Sequence, residues 1–265
     1  METQSSFVVD VHRLLVAAFF GCLAIELLLV LLDATVNYLH GSGSPAIRRL
    51  FNITREDGLA SWFGVTQTFV VSLVLWVIFL VVRKVQGSRS QRVGWLILAL
   101  FFSYMTIDDG AKIHERLGTA FKSSYDLVDP SVTDVGVAGS ILHAYPSYAW
   151  QIVFAPFLIA MAIFLFYFLW KAMPRRIDHV RIVLALSCLV TAVGLDFVEG
   201  VTGGYNWITE HTGAGEIAIG HFSKSLEEFL EMLGMTIFLV TFLDYLMHIN
   251  NSLSVRFLSS RTTSP

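Results

Sequence analysis

Six stretches of this chain are apolar over most of about twenty residues, the length a helix needs to cross a bilayer core of roughly 30 Å. They lie near Leu14–Leu32, Phe63–Val82, Val93–Ile107, Tyr148–Trp170, Val180–Val201 and Leu226–Met247. Lipid offers no water to backbone amides and carbonyls, so such segments fold as helices that close their hydrogen bonds internally. The third stretch is short and reaches full length only if its helix runs on through the polar tail to Leu117. The sixth carries a polar start back to His221. The expectation is an all-α fold, a polytopic transmembrane bundle of six helices in one integral membrane domain. Its spans fall near 14–32, 63–82, 93–117, 148–170, 180–201 and 221–247.

Composition agrees. Of 265 residues, 55% are hydrophobic and only 15% charged, and the mean hydropathy is +0.64. A soluble domain of this length needs more charge to cover its surface. A net charge of −3 without a basic stripe gives no footprint for nucleic acid. Cys22 and Cys188 both sit inside apolar runs and read as packing residues. The first span reads as a retained helix rather than a signal peptide, because it is long, Glu26 interrupts it, and no small-x-small cleavage site follows. The sequons at Asn52 and Asn250 carry no weight, since chance matches are common.

Short loops rich in Lys and Arg stay in the cytoplasm. Arg83, Lys84, Arg89 and Arg92 follow span two, and Lys171, Arg175, Arg176 and Arg181 follow span four. Arg256 and Arg261 lie in the tail. Alternation puts all three segments on one side, so both termini are expected to be cytoplasmic. Arg48, Arg49 and Arg55, in the first outer loop, run against the rule.

With that topology, the acids and histidines gather at the outer end. Glu26 and Asp33 share a face of helix one. Asp108, Asp109, His114 and Glu115 end helix three, Asp196 and Glu199 end helix five, and His221, Lys224, Glu227, Glu228 and Glu231 begin helix six. Helical spacing places Asp108, Lys112 and Glu115 on one stripe, and His221, Lys224, Glu228 and Glu231 on one ridge. The inner halves of the same helices read as nearly pure Leu, Val, Ile and Phe. Asp109, Lys112, Arg116 and Lys224 also fit an ordinary headgroup-level surface. Glu231 fits that reading less well. It lies roughly 15 Å along the helix from His221, a depth at which an ionisable group usually faces a cavity, a partner or an ion.

Two unit charges 5 Å apart repel by roughly 3 kcal/mol at an effective dielectric near 20. Converging carboxylates therefore need protons, the cations Lys112, Arg116 and Lys224, or a bound metal. With His114, His143 and His221 on the same side, a mixed set suits a divalent metal ion such as zinc, iron or manganese, whereas carboxylates with water suit calcium or magnesium. The expected ligands are Asp108, His114, Glu199, His221 and Glu231, with Glu115 and Glu228 as the catalytic acid–base residues. There is no His-Glu-x-x-His motif and no Gly-x-Ser-x-Gly elbow. Trp62, Tyr148, Trp150 and Trp207 read as an interfacial aromatic belt.

The segment Ile107-Asp108-Asp109-Gly110-Ala111-Lys112-Ile113-His114-Glu115 resembles the Leu-Asp-Glu-x4-His-Glu segment of a broad group of uncharacterised bacterial multi-span membrane proteins. Leu226-Glu227-Glu228-Phe229-Leu230-Glu231-Met232-Leu233-Gly234 is similar to that group's Glu-Glu-x2-Glu-Met-x-Gly ending, and Phe51–Asp57 with Trp62-Phe63 looks like the entry to its second helix. Asp109 stands where the group commonly has Glu, a shorter reach. The resemblance implies the same helical fold, polar positions that belong together, and an inner-membrane location in a bacterium. It implies no reaction.

Three functions remain open. The first is a metal-dependent enzyme at the outer leaflet acting on a lipid or lipid-linked substrate, and the second a proton- or cation-coupled transporter. The third is a structural or sensory protein whose polar cluster fixes helix packing. The bilayer is the expected partner in each, and nucleic acid in none.

Overall fold

A computed structural model describes residues 10–85, 87–124, 136–137, 139–140, 145 and 147–249. Among these the chain is helical and contains no strand. Helix α1 (Val11–Leu32) starts at Asp10, whose side chain caps the Arg13 amide at 3.2 Å. It passes into a π-helical turn, Asp33–Tyr38. A short helix α2 (Pro45–Phe51) leads to α3 (Leu59–Lys84). Helix α4 (Arg89–Ala111) opens with a reciprocal Ser88–Gln91 capping box. Helices α5 (Ile113–Ser124), α6 (Ala149–Ala172), α7 (Arg176–Glu199), α8 (Asn206–Thr212) and α9 (Glu216–Ile249) follow.

Among the described residues six helices are long and apolar enough to cross a membrane: Val11–Tyr38, Leu59–Lys84, Arg89–Ala111, Ala149–Ala172, Arg176–Glu199 and Glu216–Ile249. Several begin a turn earlier than hydropathy alone suggests, because a polar first turn is helical without being lipid-facing. The third span differs in a way that matters. Its helix does not run on to Leu117. It stops at Ala111, where Lys112 turns left-handed (φ 53°) and its amide closes on the Asp108 carbonyl at 2.6 Å. The helix reaches full length at its other end, from Arg89. The break also dissolves the expected Asp108–Lys112–Glu115 stripe, since α5 leaves in a new direction.

Helix α9 is the hub, packed against α7, α3 and α1, while α3 and α4 pair along their lengths. In lipid, apolar burial gives little net drive, so contact quality decides helix association. Trp95, Phe102, Phe238 and Phe242 form a buried aromatic stack, flanked by Val71, Leu75, Ile78, Leu98, Leu169 and Ile182. Gly234 lets α7 approach α9: a Cβ there would stand 3.1 Å from Leu189 Cδ2 and 3.3 Å from the Ala185 carbonyl oxygen.

One end of the bundle corrects the sequence reading. The half expected to be apolar holds two buried acids, Asp178 and Asp244. Arg175 forks onto Asp178 through two contacts of 2.8 Å and reaches Asp244 at 2.9 Å, and Arg181 meets Asp244 at 2.6 Å. The loop arginines thus clasp α7 to α9. The Arg175 pKa is raised, first by its hydrogen bond to Asp178 and then by Asp244, and these together outweigh the lowering effect of burial.

Candidate functional site

Toward the opposite end, and apart from Glu26, the ionisable groups of the described residues gather in four arrangements. The first grows from the π-helical turn. Asp33 Oδ1 accepts from the Asn37 amide at 2.9 Å and the Ile53 backbone N–H at 3.2 Å, and Oδ2 accepts from Ser225 at 2.9 Å. His221 Nε2 lies 2.9 Å from the same Oδ2 but off the line a hydrogen bond needs. Its ring stacks on Tyr38 with centroids 4.7 Å apart. His221 therefore belongs to the α1–α9 contact.

The second arrangement forms at the α4–α5 break. Asp108, almost fully buried, accepts the His114 backbone N–H at 2.9 Å and lies 2.6 Å from His114 Nδ1. Burial disfavours the charged imidazole, but the adjacent Asp108 carboxylate outweighs that and raises the His114 pKa. Lys112 Nζ stands 3.5 Å from Glu115 and 3.9 Å from Glu56. Its pKa is likewise raised, burial being overcome by Glu115, Glu228, Glu56 and Glu231.

The third is a carboxylate triad. Asp196 and Glu199 lie one turn apart on α7, and Glu227 faces them from α9. Each offers an oxygen, and the three oxygens lie within 4.8 Å of one another. Lys224, one turn before Glu227, puts Nζ 2.7 Å from Glu227, 3.5 Å from Asp196 and 3.7 Å from Glu199. Gln151 of α6 donates to Asp196 Oδ2 at 2.9 Å and is itself held by the Tyr145 hydroxyl at 2.8 Å. Glu227 is only 4% exposed, and its Oε2 has no hydrogen-bond partner among the described residues. A buried carboxylate oxygen without a donor is costly unless a cation or water meets it.

The fourth lies deeper. Glu231 is exposed although it stands well inside the span, roughly 20 Å along α9 from the Asp244 clasp; an ionisable side chain at that depth faces a water-filled cleft or a partner rather than lipid. Asp109 accepts from Thr68 at 3.3 Å. It is within electrostatic reach of Glu231, which in turn interacts with Glu228, Lys112 and Lys224. Six acids of this end (Asp109, Asp196, Glu199, Glu227, Glu228 and Glu231) thus face two cations, Lys112 and Lys224. Such an excess is held only with protons or bound cations.

The expected metal set is consequently dispersed. Asp108 and His114 meet each other, and Glu115 lies beside them, 3.8 Å from His114 Nε2. Glu228 and Glu231 line the cleft, Glu199 joins Asp196 and Glu227, and His221 joins Asp33. Among the described residues no imidazole enters the triad, because His114 lies against Asp108 and His221 against Asp33. His143 lies outside the described residues. Glu26 also stands apart, fully buried, its Oε1 accepting from Gln67 at 2.9 Å and Thr236 at 2.6 Å. Sequence reasoning passed over Gln151 and Gln67, polar residues inside apolar spans. It also kept Glu227 and Asp196 out of the ligand set, although their one-turn spacings to Lys224 and Glu199 were visible.

Fold and site together define a polytopic helical membrane protein with an acidic cluster, fit for a metal ion, at one end of its bundle. The chain matches the Domain of unknown function (DUF8692) over residues 15–246, from α1 to near the end of α9, and belongs to that family. No curated protein and no solved structure matches it.

Proposed function

We propose that the triad Asp196, Glu199 and Glu227 binds one hard divalent cation, calcium, magnesium or manganese, and that the cation serves metal-assisted hydrolysis of a lipid or lipid-linked substrate. The observation that carries this is the unpartnered Oε2 of buried Glu227 beside two further carboxylates. An all-oxygen donor set selects hard cations over zinc. Three carboxylates and the Lys224 ammonium leave two formal negative charges, the charge of one such ion. Lys224 holds the triad together without the ion and shifts aside as the ion enters. The neighbouring cleft acid Glu228 is the general base for the attacking water, Glu231 shares its proton, and the Asp108–His114–Glu115 group orders Lys112 over the cleft. The acidic end faces the extracytoplasmic side, with both termini in the cytoplasm of a bacterium.

Depth favours this over transport. Glu227 is roughly 26 Å along α9 from Asp244. With the clasp at one boundary of a core about 30 Å thick, the triad lies about 4 Å inside the opposite boundary, next to the headgroups, whereas transporters hold their ions near the midplane. The test is elemental analysis of the purified full chain after equilibration with calcium, magnesium and manganese. One ion per chain, lost in Glu227→Gln, supports the reading, and lipid hydrolysis requiring the same ion and Glu228 completes it. Metal-free protein overturns it, as does an ion that crosses proteoliposomes without hydrolysis.

A further inference from the structure

The arginines that run against the positive-inside rule build a pocket of their own. At the acidic end, but outside the carboxylate cleft, a pocket of about 460 Å³ is lined by Tyr38, His40, Arg48, Arg49, Arg55 and Ile217, among others. It is a broad, open pocket rather than an enclosed cavity. The wall is set by local backbone: the π-helical turn carries Tyr38, and His40 takes a left-handed conformation (φ 57°), closing Nδ1 on the Tyr38 carbonyl at 2.9 Å. The next residue, Gly41, bonds its amide to the Thr35 carbonyl, where a Cβ would stand 2.6 Å from that oxygen. Helix α2, packed on that turn, contributes Arg48 and Arg49.

The charges do not cancel. Arg49 and Arg55 both reach Asp57, each through Nε at 2.9 Å. Arg49 and Arg55 hold the Asp57 carboxyl low, at about 2, so it is ionised throughout the physiological range. The other nearby acid, Glu56, turns to Lys112. Arg48 makes no ion pair among the described residues. Three guanidinium groups against one carboxylate leave two positive charges around an open pocket. Beside them Leu39, Ile47, Leu50 and Ile217 are exposed, apolar side chains suited to acyl chains.

We infer that this pocket binds the phosphate of an anionic phospholipid, with Arg48 as its free fork and the apolar rim against the acyl chains. Arginine's planar donors match phosphate oxygens two at a time. The inference is independent of the triad's metal and would stand if that site failed.

The test titrates the full chain, purified in phosphate-free detergent, with phosphatidylglycerol and separately with inorganic phosphate, reading the dissociation constant from native mass spectrometry or thermal shift. Arg48→Ala should weaken phosphatidylglycerol about tenfold, the loss of one charge-assisted contact. Asp57→Asn, which frees Arg49 and Arg55, should tighten it several-fold. Because the two variants move the constant in opposite directions, misfolding cannot mimic the result. Phosphatidylglycerol binding that is unchanged in both variants overturns the inference. So does a pocket that takes inorganic phosphate, with the same dependence on Arg48, but not the lipid.

Discussion

Lys224→Met separates a metal triad from a structural salt-bridge cluster, because the two assign Lys224 opposite effects on cations. Its ammonium lies 2.7 to 3.7 Å from all three carboxylates. An ion seated among them would sit roughly 4 Å from that nitrogen, where two unit charges repel by about 1 kcal/mol in water and about 4 kcal/mol at a dielectric near 20. For a divalent ion these values double. The Lys224 side chain is 23% exposed and can swing outward, so the lower value, about 2 kcal/mol, is the fair floor. At about 1.4 kcal/mol per tenfold, Lys224→Met should tighten calcium or manganese at least about thirtyfold. Without cation, the same variant loses the counter-ion of three acids and should unfold at lower temperature than wild type. The assay is calorimetric titration of chelator-treated protein, paired with thermal unfolding with and without the ion. Affinity that is unchanged or weaker in Lys224→Met refutes an ion among these carboxylates.

Asp244→Ala should cost about 1–3 kcal/mol. That is less than the loss of a fully buried pair, since Arg175 and Arg181 are about a third and a quarter exposed, and a double-mutant cycle with Arg181→Ala measured by unfolding in detergent should show positive coupling. His114 is held above its ordinary pKa, so its stabilisation is full below about pH 6.5 and fades as pH rises through the folded value. The pH dependence of unfolding should show that loss in wild type and not in Asp108→Asn. Glu26→Gln, which keeps an acceptor for Gln67 and Thr236, should leave stability within about 1 kcal/mol, while Glu26→Ala should cost about 1–3 kcal/mol by leaving the buried Thr236 hydroxyl without its acceptor, Gln67 keeping its 2.7 Å bond to Thr236, as unfolding will measure.

How much was legible follows from what each signal measures. Hydropathy marks the part of a helix that touches lipid, and it located all six spans. The break at Lys112 left no mark on it, because Ala111-Lys112-Ile113 is as compatible with a continuous helix as with a left-handed cap. The clasp at the other end was hidden for a related reason. Arg175 and Arg181 were read as loop charges setting orientation, and their i,i+3 spacing to Asp178 shows a partner only once α9 brings Asp244 alongside.

The sequence by itself determined an all-helical bundle of six spans and the gathering of acids toward one end, because the lack of water in lipid forces both the helices and the placement of charge. Tertiary structure alone decided which acids meet. Whether Glu199 faces His221 or Glu227 depends on how α7 and α9 rotate against each other, and close packing at Gly234 and across Phe238 and Phe242 fixes that rotation. The histidines were drawn away to Asp108 and Asp33 by contacts between elements distant in the chain, which no local spacing encodes.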